Sequence, residues 1–118
     1  LVLVGVEKKD SNVNAERLVD KLLAYRIFGD VTGKMNLSVR DKDGDVMLVS
    51  QFTLAAETNK GLRPSFSSAK QPLEAEKIFN YLVDFSKNDY PKIVSGKFGA
   101  DMRIILENNG PVTFHLRS

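Results

Sequence analysis

The central stretch of the chain reads DVMLVSQFTL from Asp45 to Leu54. Its apolar, β-branched and aromatic bias is typical of a strand that is buried on both faces of a sheet. The end of this strand carries Ser50, Gln51 and Thr53, and buried hydroxyl and carboxamide groups need hydrogen-bond partners. Either a ligand supplies those partners, or Ser50 and Thr53 bond the neighbouring backbone while Gln51 satisfies a loop.

A second informative segment reads NNGPVT from Asn108 to Thr113. Asn-Asn-Gly-Pro is a turn sequence, so we expect the flanking stretches Met102–Leu106 and Val112–Leu116 to form an antiparallel hairpin. The bond between Gly110 and Pro111 has lost most of its trans preference. A cis bond is therefore accessible here, although an ordinary trans turn is the more common outcome for such a sequence.

Helical spacing of apolar residues predicts two helices. The first runs from Val13 to Phe28, with Asn12 or Asn14 as its cap, and the second runs from Pro72 to Lys87. Further strands are expected at the start of the chain, near 92–94, over 102–107 and over 112–116. Together these elements predict a single α+β domain that covers residues 1–118.

The composition argues against several classes of protein. The chain has 118 residues, no cysteine and one histidine, His115, so disulfides, thiol catalysis and the usual zinc sites are excluded. It has neither a Gly-x-Ser-x-Gly nucleophile motif nor a Gly-rich phosphate loop, and we expect no cofactor. His115 shares the less buried face of its strand, so we expect a surface residue and not a base. No apolar run is long enough to cross a bilayer, and we expect a cytoplasmic protein.

The net charge is only +2, far below that of proteins that coat nucleic acids, so any contact with RNA must be local. Between Thr58 and Leu73 there are three basic residues and no acid. The three are Lys60, Arg63 and Lys70, and Lys92 and Lys97 follow further along the chain. This segment is either a solvated loop or a surface that meets phosphates.

Several segments together resemble one family, the D-aminoacyl-tRNA deacylases. Besides SQFTL and NNGPVT, the similar stretches are LVLVGV at 1–6, YRIF at 25–28, GKMNLS at 33–38, KGLRPSF at 60–66 and GKFGADM at 96–102. Family members begin earlier, with a short hairpin region that carries Gln-Arg-Val. Because a chain starting at Leu1 would expose the edge of an apolar strand, we expect this sequence to be part of a longer polypeptide.

The resemblance implies a fold and an activity. The fold is α+β, with mixed, largely antiparallel sheets that form a barrel-like core and two packing helices. The activity is hydrolysis of the ester between a D-amino acid and the terminal adenosine of tRNA, and also of glycyl-tRNA mischarged on tRNA-Ala. In this family the substrate's ribose 2′-hydroxyl is thought to help activate water, so the protein mainly positions the ester and stabilises developing charge.

The resemblance also assigns roles to residues. Ser50, Gln51, Phe52 and Thr53 are the implied catalytic residues. Because the sequence shows no histidine or amine partner that would activate Thr53, we expect a positioning role for it and not a nucleophilic one.

The remaining implied residues bind the substrate. Phe98 and Met102 resemble positions that line the adenosine pocket, although ordinary core packing explains them nearly as well. Gly110 and Pro111, joined by a cis bond, are expected to enter the partner subunit's site in a homodimer and to exclude L-amino acids sterically. The implied contacts to the tRNA acceptor end are Lys60, Arg63 and Lys97.

Two other functions stay open on the sequence. The chain could be a module of the same fold that binds the tRNA acceptor end without turnover, or a self-associating structural domain. Binding of aminoacyl-tRNA without loss of the ester would favour the first, and no affinity for the tRNA end would favour the second.

Overall fold

The computed structural model describes residues 1–118. Its elements in chain order are β1 (Val2–Val4), α1 (Asn12–Ala24), β2 (Phe28–Gly29), β3 (Met35–Leu37), β4 (Val46–Ser50), a 3₁₀ turn (Phe52–Ala55), α2 (Pro72–Asp89) and β5 (Ile93–Ser95). None of the helices is both long and apolar enough to span a membrane.

The main sheet has three parallel strands in the order β1-β4-β5. Val2 pairs with Leu48, and Val46 pairs with Ile93. Parallel neighbours need long crossovers, and α1 and α2 lie within the two connections. Both crossovers step in the same direction across the sheet, so right-handed connections place both helices on one face, where they pack on each other.

The core lies between this sheet and the two helices. Leu48 in the middle strand, Leu23 on α1 and Phe79 on α2 are almost completely buried, and they belong to one cluster of twelve buried residues. By the alternation of a strand, Leu3 and Met47 point to the opposite face, where both are exposed. The sheet therefore has one packed face and one largely open face.

Both helices form where the spacing predicts them, with shifted ends. The first helix ends at Ala24 and not at Phe28, because Tyr25 is extended and Phe28 enters the two-stranded antiparallel sheet with β3. Its cap is Ser11, whose N–H and hydroxyl both donate to Oδ1 of Asn14, at 3.1 and 2.8 Å.

The expected sheet architecture is wrong in two respects. The main sheet is parallel and not largely antiparallel, and it is open, with β1 and β5 as its edges, so it forms no closed barrel. Alternating apolar residues indicate a strand but do not say which strand lies beside it. The order strand, helix, strand along this chain is the feature that favours parallel pairing.

The expected C-terminal hairpin is not formed either. Residues 102–107 and 112–116 have no strand assignment, and residues 101–118 make no backbone–backbone hydrogen bond. A strand exists only through a partner that completes its ladder of N–H and C=O groups. The apolar alternation in this segment is real, but no neighbouring strand in the chain pairs with it.

Candidate functional site

The SQFTL signature forms a strand end followed by a tight turn. The N–H of Gln51 donates to the carbonyl oxygen of Val4 at 2.7 Å, which is the last bond between β1 and the signature segment. The chain then enters the 3₁₀ turn, in which Leu54 N–H donates to Gln51 C=O at 3.2 Å. The sequence led us to expect that the strand continues to Leu54. Phe52, Thr53 and Leu54 instead belong to the turn that follows the strand.

Gly5 makes room for this turn. A Cβ atom built on Gly5 would lie 2.9 Å from Cβ of Leu54 and 3.3 Å from the carbonyl oxygen of Gln51. The first distance is shorter than carbon atoms tolerate, so a side chain here would displace the turn. Sequence reasoning missed this residue, although a glycine directly after an apolar strand is a known sign of close backbone approach.

The turn presents several unused hydrogen-bonding groups. The backbone N–H groups of Phe52 and Thr53 donate to no atom of the chain, as is usual for the first residues of a helical turn. The Ser50 hydroxyl is half-buried and makes no hydrogen bond. The Gln51 carboxamide, in contrast, donates to Oγ1 of Thr53 at 2.6 Å. This hydrogen bond fixes the two side chains relative to each other.

A cleft of about 480 Å³ lies beside this turn. It is bordered by the signature turn, the start of α2 and the segment after β5, that is, at the carboxyl ends of the parallel strands, where open α/β sheets bind ligands. Its lining residues are Ser50, Phe52, Phe66, Ala69, Lys70, Gln71, Pro72, Ala75, Phe98 and Gly99. An apolar cleft with a few convergent polar groups is the usual form of a small-molecule site.

Aromatic rings shape the cleft at two depths. Phe98 is half-buried and packs on Phe79 of the core, with ring centroids 6.0 Å apart. Phe52 and Phe66 stand nearer the solvent, 60% and 40% exposed, with their ring centroids 5.0 Å apart. No local pattern in the sequence predicts that Phe66 and Lys70 line the cleft. Both belong to a loop that reaches the cleft only through tertiary contacts.

The structure brings only some of the expected substrate residues to this cleft. Phe98 lines it, but Met102 does not. The sulfur of Met102 instead covers Gly96, where an added Cβ would lie 2.6 Å from it. Met102 is therefore a packing residue in this structure.

The second signature lies away from the cleft. Gly110 and Pro111 are exposed and do not line it. The bond between them is trans, since the chain has no cis peptide bond, so the expected cis geometry is absent from this structure. The segment that follows rests on the end of α1 and the residue after it. The ring of Phe114 lies 5.5 Å from that of Tyr25, and Lys21 Nζ on α1 donates to the carbonyl oxygen of Arg117 at 3.0 Å.

The three basic residues expected to contact RNA are all exposed. Lys60 and Arg63 lie in a loop closed by the isolated antiparallel pair Glu57 and Ser65. Lys97 directly precedes Phe98 of the cleft. His115 is exposed, as predicted.

Shifted pKa values occur away from the cleft. The clearest case is Asp30, whose pKa is lowered to about 2, chiefly by hydrogen bonds from the side chains of Thr32 and Asn36. The others are Asp41, Tyr81 and Lys92. No group of three or more His, Cys, Asp or Glu side chains is placed to hold a metal ion.

Comparison with known proteins gives consistent matches along the chain. The sequence profile of the family described as D-Tyr-tRNA(Tyr) deacylase matches residues 1–117. A D-aminoacyl-tRNA deacylase of Marinomonas sp. (strain MWYL1) is 58% identical over 116 residues, which cover 98% of this chain and 81% of that protein.

Two solved structures are also similar. One, described as c-Myc DNA unwinding element binding protein, has a TM-score of 0.91 and 38% identity, covering 98% of this chain and 79% of the other. The second, described as a probable eukaryotic D-amino acid tRNA deacylase, has a TM-score of 0.77 and 17% identity, covering 92% of this chain and 79% of the other. The second likeness concerns the fold alone.

Proposed function

The chain belongs to the D-Tyr-tRNA(Tyr) deacylase family, and on that premise we propose that it hydrolyses the ester between a D-amino acid and the 3′-terminal adenosine of tRNA. The products are free D-amino acid and tRNA, so the activity is proofreading of translation, in the cytoplasm where charged tRNA is used. The observation that carries this proposal is the pair of unused backbone N–H groups at Phe52 and Thr53, beside a cleft with an aromatic floor.

These N–H groups suit the charge that ester hydrolysis develops. Water adds to the ester carbonyl carbon, the carbonyl oxygen becomes an oxyanion, and the bond to the ribose 3′-oxygen then breaks as that oxygen takes up a proton. Donors that are fixed before the reaction stabilise such an oxyanion without reorganisation. The Ser50 hydroxyl, which also faces the cleft, is a third candidate donor.

Thr53 positions and does not attack. Its hydroxyl accepts from the Gln51 carboxamide, and the chain's one histidine is exposed on the C-terminal segment, which rests on α1. A threonine without an adjacent base or amine is a weak nucleophile. We assign activation of water to the substrate's own ribose 2′-hydroxyl, as in the family that the sequence resembles.

The adenosine fits the aromatic cleft. The half-buried ring of Phe98 offers an apolar face for the base, and Phe52 places a second ring next to the reacting turn. Base–aromatic stacking is sequence-tolerant and contributes about 1–3 kcal/mol per base.

Selection of the D-amino acid is assigned to a homodimer. In one chain, Gly110 and Pro111 are exposed and lie outside the cleft, so they can act on the ester only from a second subunit. Backbone carbonyls brought in this way would block an L side chain and leave a D side chain or glycine free. Glycyl-tRNA mischarged on tRNA-Ala is accepted for the same reason: glycine has no side chain that could meet the blocking carbonyls, and a steric filter does not need to recognise what it accepts.

The tRNA itself is held by charge. Lys60, Arg63 and Lys97 are exposed, and Lys97 directly precedes Phe98 of the cleft. Contacts of such residues to phosphates position a nucleic acid without reading its sequence. The modest net charge of +2 fits a local contact to the acceptor end.

Incubation of the protein with D-tyrosyl-tRNA tests the activity, with free D-tyrosine measured over time and a chelator present. We expect release far above the spontaneous rate. Tight binding of the charged tRNA with an unchanged ester lifetime would contradict hydrolysis and favour a binding module of the same fold.

A further inference from the structure

The loop from Glu57 to Ala69, here called the clamp loop, is fixed at two levels. At its neck, Glu57 and Ser65 exchange backbone hydrogen bonds of 2.7 and 3.0 Å. At its base, Lys8 N–H donates to Ser68 C=O at 2.8 Å and Lys70 N–H donates to Val6 C=O at 3.0 Å. The loop is therefore held on the segment that follows β1, next to the signature turn Phe52–Ala55.

The clamp loop presents an aromatic face at the rim of the cleft. Phe66 is 40% exposed although it packs against Phe52. An aromatic ring that is exposed to water at the mouth of a cleft is unfavourable in free energy, and a ligand that covers the ring removes this penalty. Phe98 already supplies the deeper ring for the terminal nucleoside, so Phe66 is available for the next base along the strand.

The charge around Phe66 complements a nucleic acid strand. From Thr58 to Leu73 there is no acid, and Glu57, at the neck, already accepts a bond from Asn59 N–H at 3.0 Å. The exposed cations Lys60 and Arg63 occupy the tip of the loop. Phe66 and these two cations therefore belong to one short loop, and aromatic rings combined with basic residues are the pattern by which proteins bind unpaired nucleotides.

We propose that the clamp loop binds the unpaired nucleotides that precede the terminal adenosine, with one base stacked on Phe66 and their phosphates beside Lys60 and Arg63. The partner is single-stranded RNA and not the acceptor duplex, because a ring can stack only on a base whose face is free. This inference rests on the proposed function, since it assumes that the terminal nucleoside occupies the cleft.

The test compares a long and a short substrate. D-tyrosyl-tRNA contains the preceding nucleotides, whereas 3′-O-D-tyrosyl-adenosine lacks them. Phe66→Leu keeps apolar bulk against Phe52 but removes the aromatic face, Phe66→Tyr keeps the face, and Val31→Ala changes an exposed residue that does not line the cleft.

For Phe66→Leu we expect KM for D-tyrosyl-tRNA to rise about tenfold with kcat unchanged, the size of one lost base–aromatic stack. KM for the adenosine ester should rise much less, because Phe66 stands at the rim of the cleft. Phe66→Tyr keeps the aromatic face and should restore KM for D-tyrosyl-tRNA, and Val31→Ala should resemble the parent protein on both substrates. An equal rise on both substrates would overturn the inference by placing Phe66 in the terminal nucleoside's pocket. No rise on either would overturn it as well.

A binding measurement separates this inference from the proposed activity. The probes are 3′-amide analogues that cannot be hydrolysed, one on adenosine and one on a trinucleotide. Tighter binding of the trinucleotide, lost in Phe66→Leu, supports the clamp loop even if the ester assay shows no turnover. Equal affinity of the two analogues for the parent protein contradicts it even if turnover is fast.

Discussion

The two signature segments of this chain differ in what holds them. The turn that follows Ser50 is fixed by a bond from Gln51 to Val4, by its own 3₁₀ bonds and by close packing on Gly5. The segment around Gly110 and Pro111 has no backbone hydrogen bond at all and is exposed. The first segment is held within one chain, whereas the second has no backbone bond that holds it there and, under the proposed function, acts on the site of a partner subunit.

From this difference we infer that the two segments divide the work of the proposed site. Stabilising an oxyanion needs donors held rigidly in place, and a turn anchored on a buried sheet provides them. Excluding an L-amino acid needs only an obstacle at the right distance, which another subunit can supply. Three variants and one acid titration check this comparison, and the variant with the strongest predicted effect comes first.

Removal of one N–H from the turn should have the largest effect. Phe52→Pro deletes the donor, and proline is tolerated here because Phe52 is the first residue of the 3₁₀ turn, where the N–H has no partner in the chain. We expect kcat for D-tyrosyl-tRNA to fall by about 10²–10³ relative to Phe52→Ala, which loses the ring but keeps the N–H. Equal kcat in the two variants would show that this N–H does not face the oxyanion.

Crowding the turn should come next. Gly5→Ala puts a Cβ 2.9 Å from Cβ of Leu54, and such overpacking destabilises by about 1–3 kcal/mol. Urea unfolding should show this loss, together with slower deacylation. In the matched control, Gly29→Ala, the new Cβ would meet its nearest atoms at 3.8 Å. If both variants unfold alike, the turn is not packed tightly on Gly5.

A change in the second signature should alter selectivity and not stability. Pro111→Ala frees φ and adds an N–H, so the carbonyl groups of this segment lose their fixed direction. We expect the D-over-L rate ratio to fall by about tenfold or more, the range that one steric contact provides in a pocket. Urea unfolding should be unchanged because Pro111 is exposed. An unchanged ratio in a dimeric protein would contradict the role of this segment.

Protonation of Asp30 should give the smallest effect. It should loosen the loop between β2 and β3 without changing the cleft. The folded pKa of Asp30 is about 2, below the unfolded value of about 3.9, so its stabilising bonds are present above pH 4. They are lost as the pH falls through about 2. Amide resonances of Thr32 and Lys34, whose N–H groups donate to Asp30, should report this loss. The C-terminal segment has no such bonds to lose. Unchanged amide resonances of Thr32 and Lys34 at pH 2 would show that the Asp30 carboxylate does not hold the loop between β2 and β3.

The sequence predicts most of what is encoded locally. Helical spacing predicts both helices, and DVMLV predicts β4, because those patterns report which side of an element is buried. The polar end of that strand identifies Ser50 and Gln51 as candidate site residues. The role of Gly5 and the approach of Phe66 to the cleft depend on packing between distant segments, which no local pattern encodes.

The errors also have a physical cause. Apolar alternation over residues 102–107 and 112–116 shows two faces, but a strand forms only when its N–H and C=O groups find a neighbour. The sequence therefore predicts the potential for pairing without supplying the partner. The resemblance implies that Met102 lines the adenosine pocket, with core packing as the alternative. In the structure its sulfur lies over Gly96, and a role in substrate binding stays a prediction.

The central claim is that the anchored turn hydrolyses the ester while the second signature rejects the L-amino acid. The most direct test measures deacylation of D-tyrosyl-tRNA beside L-tyrosyl-tRNA, with the same protein and a chelator present. We expect rapid loss of the D ester, and loss of the L ester only at the spontaneous rate. Equal rates for the two esters, or no acceleration of either by folded, dimeric protein, would contradict it.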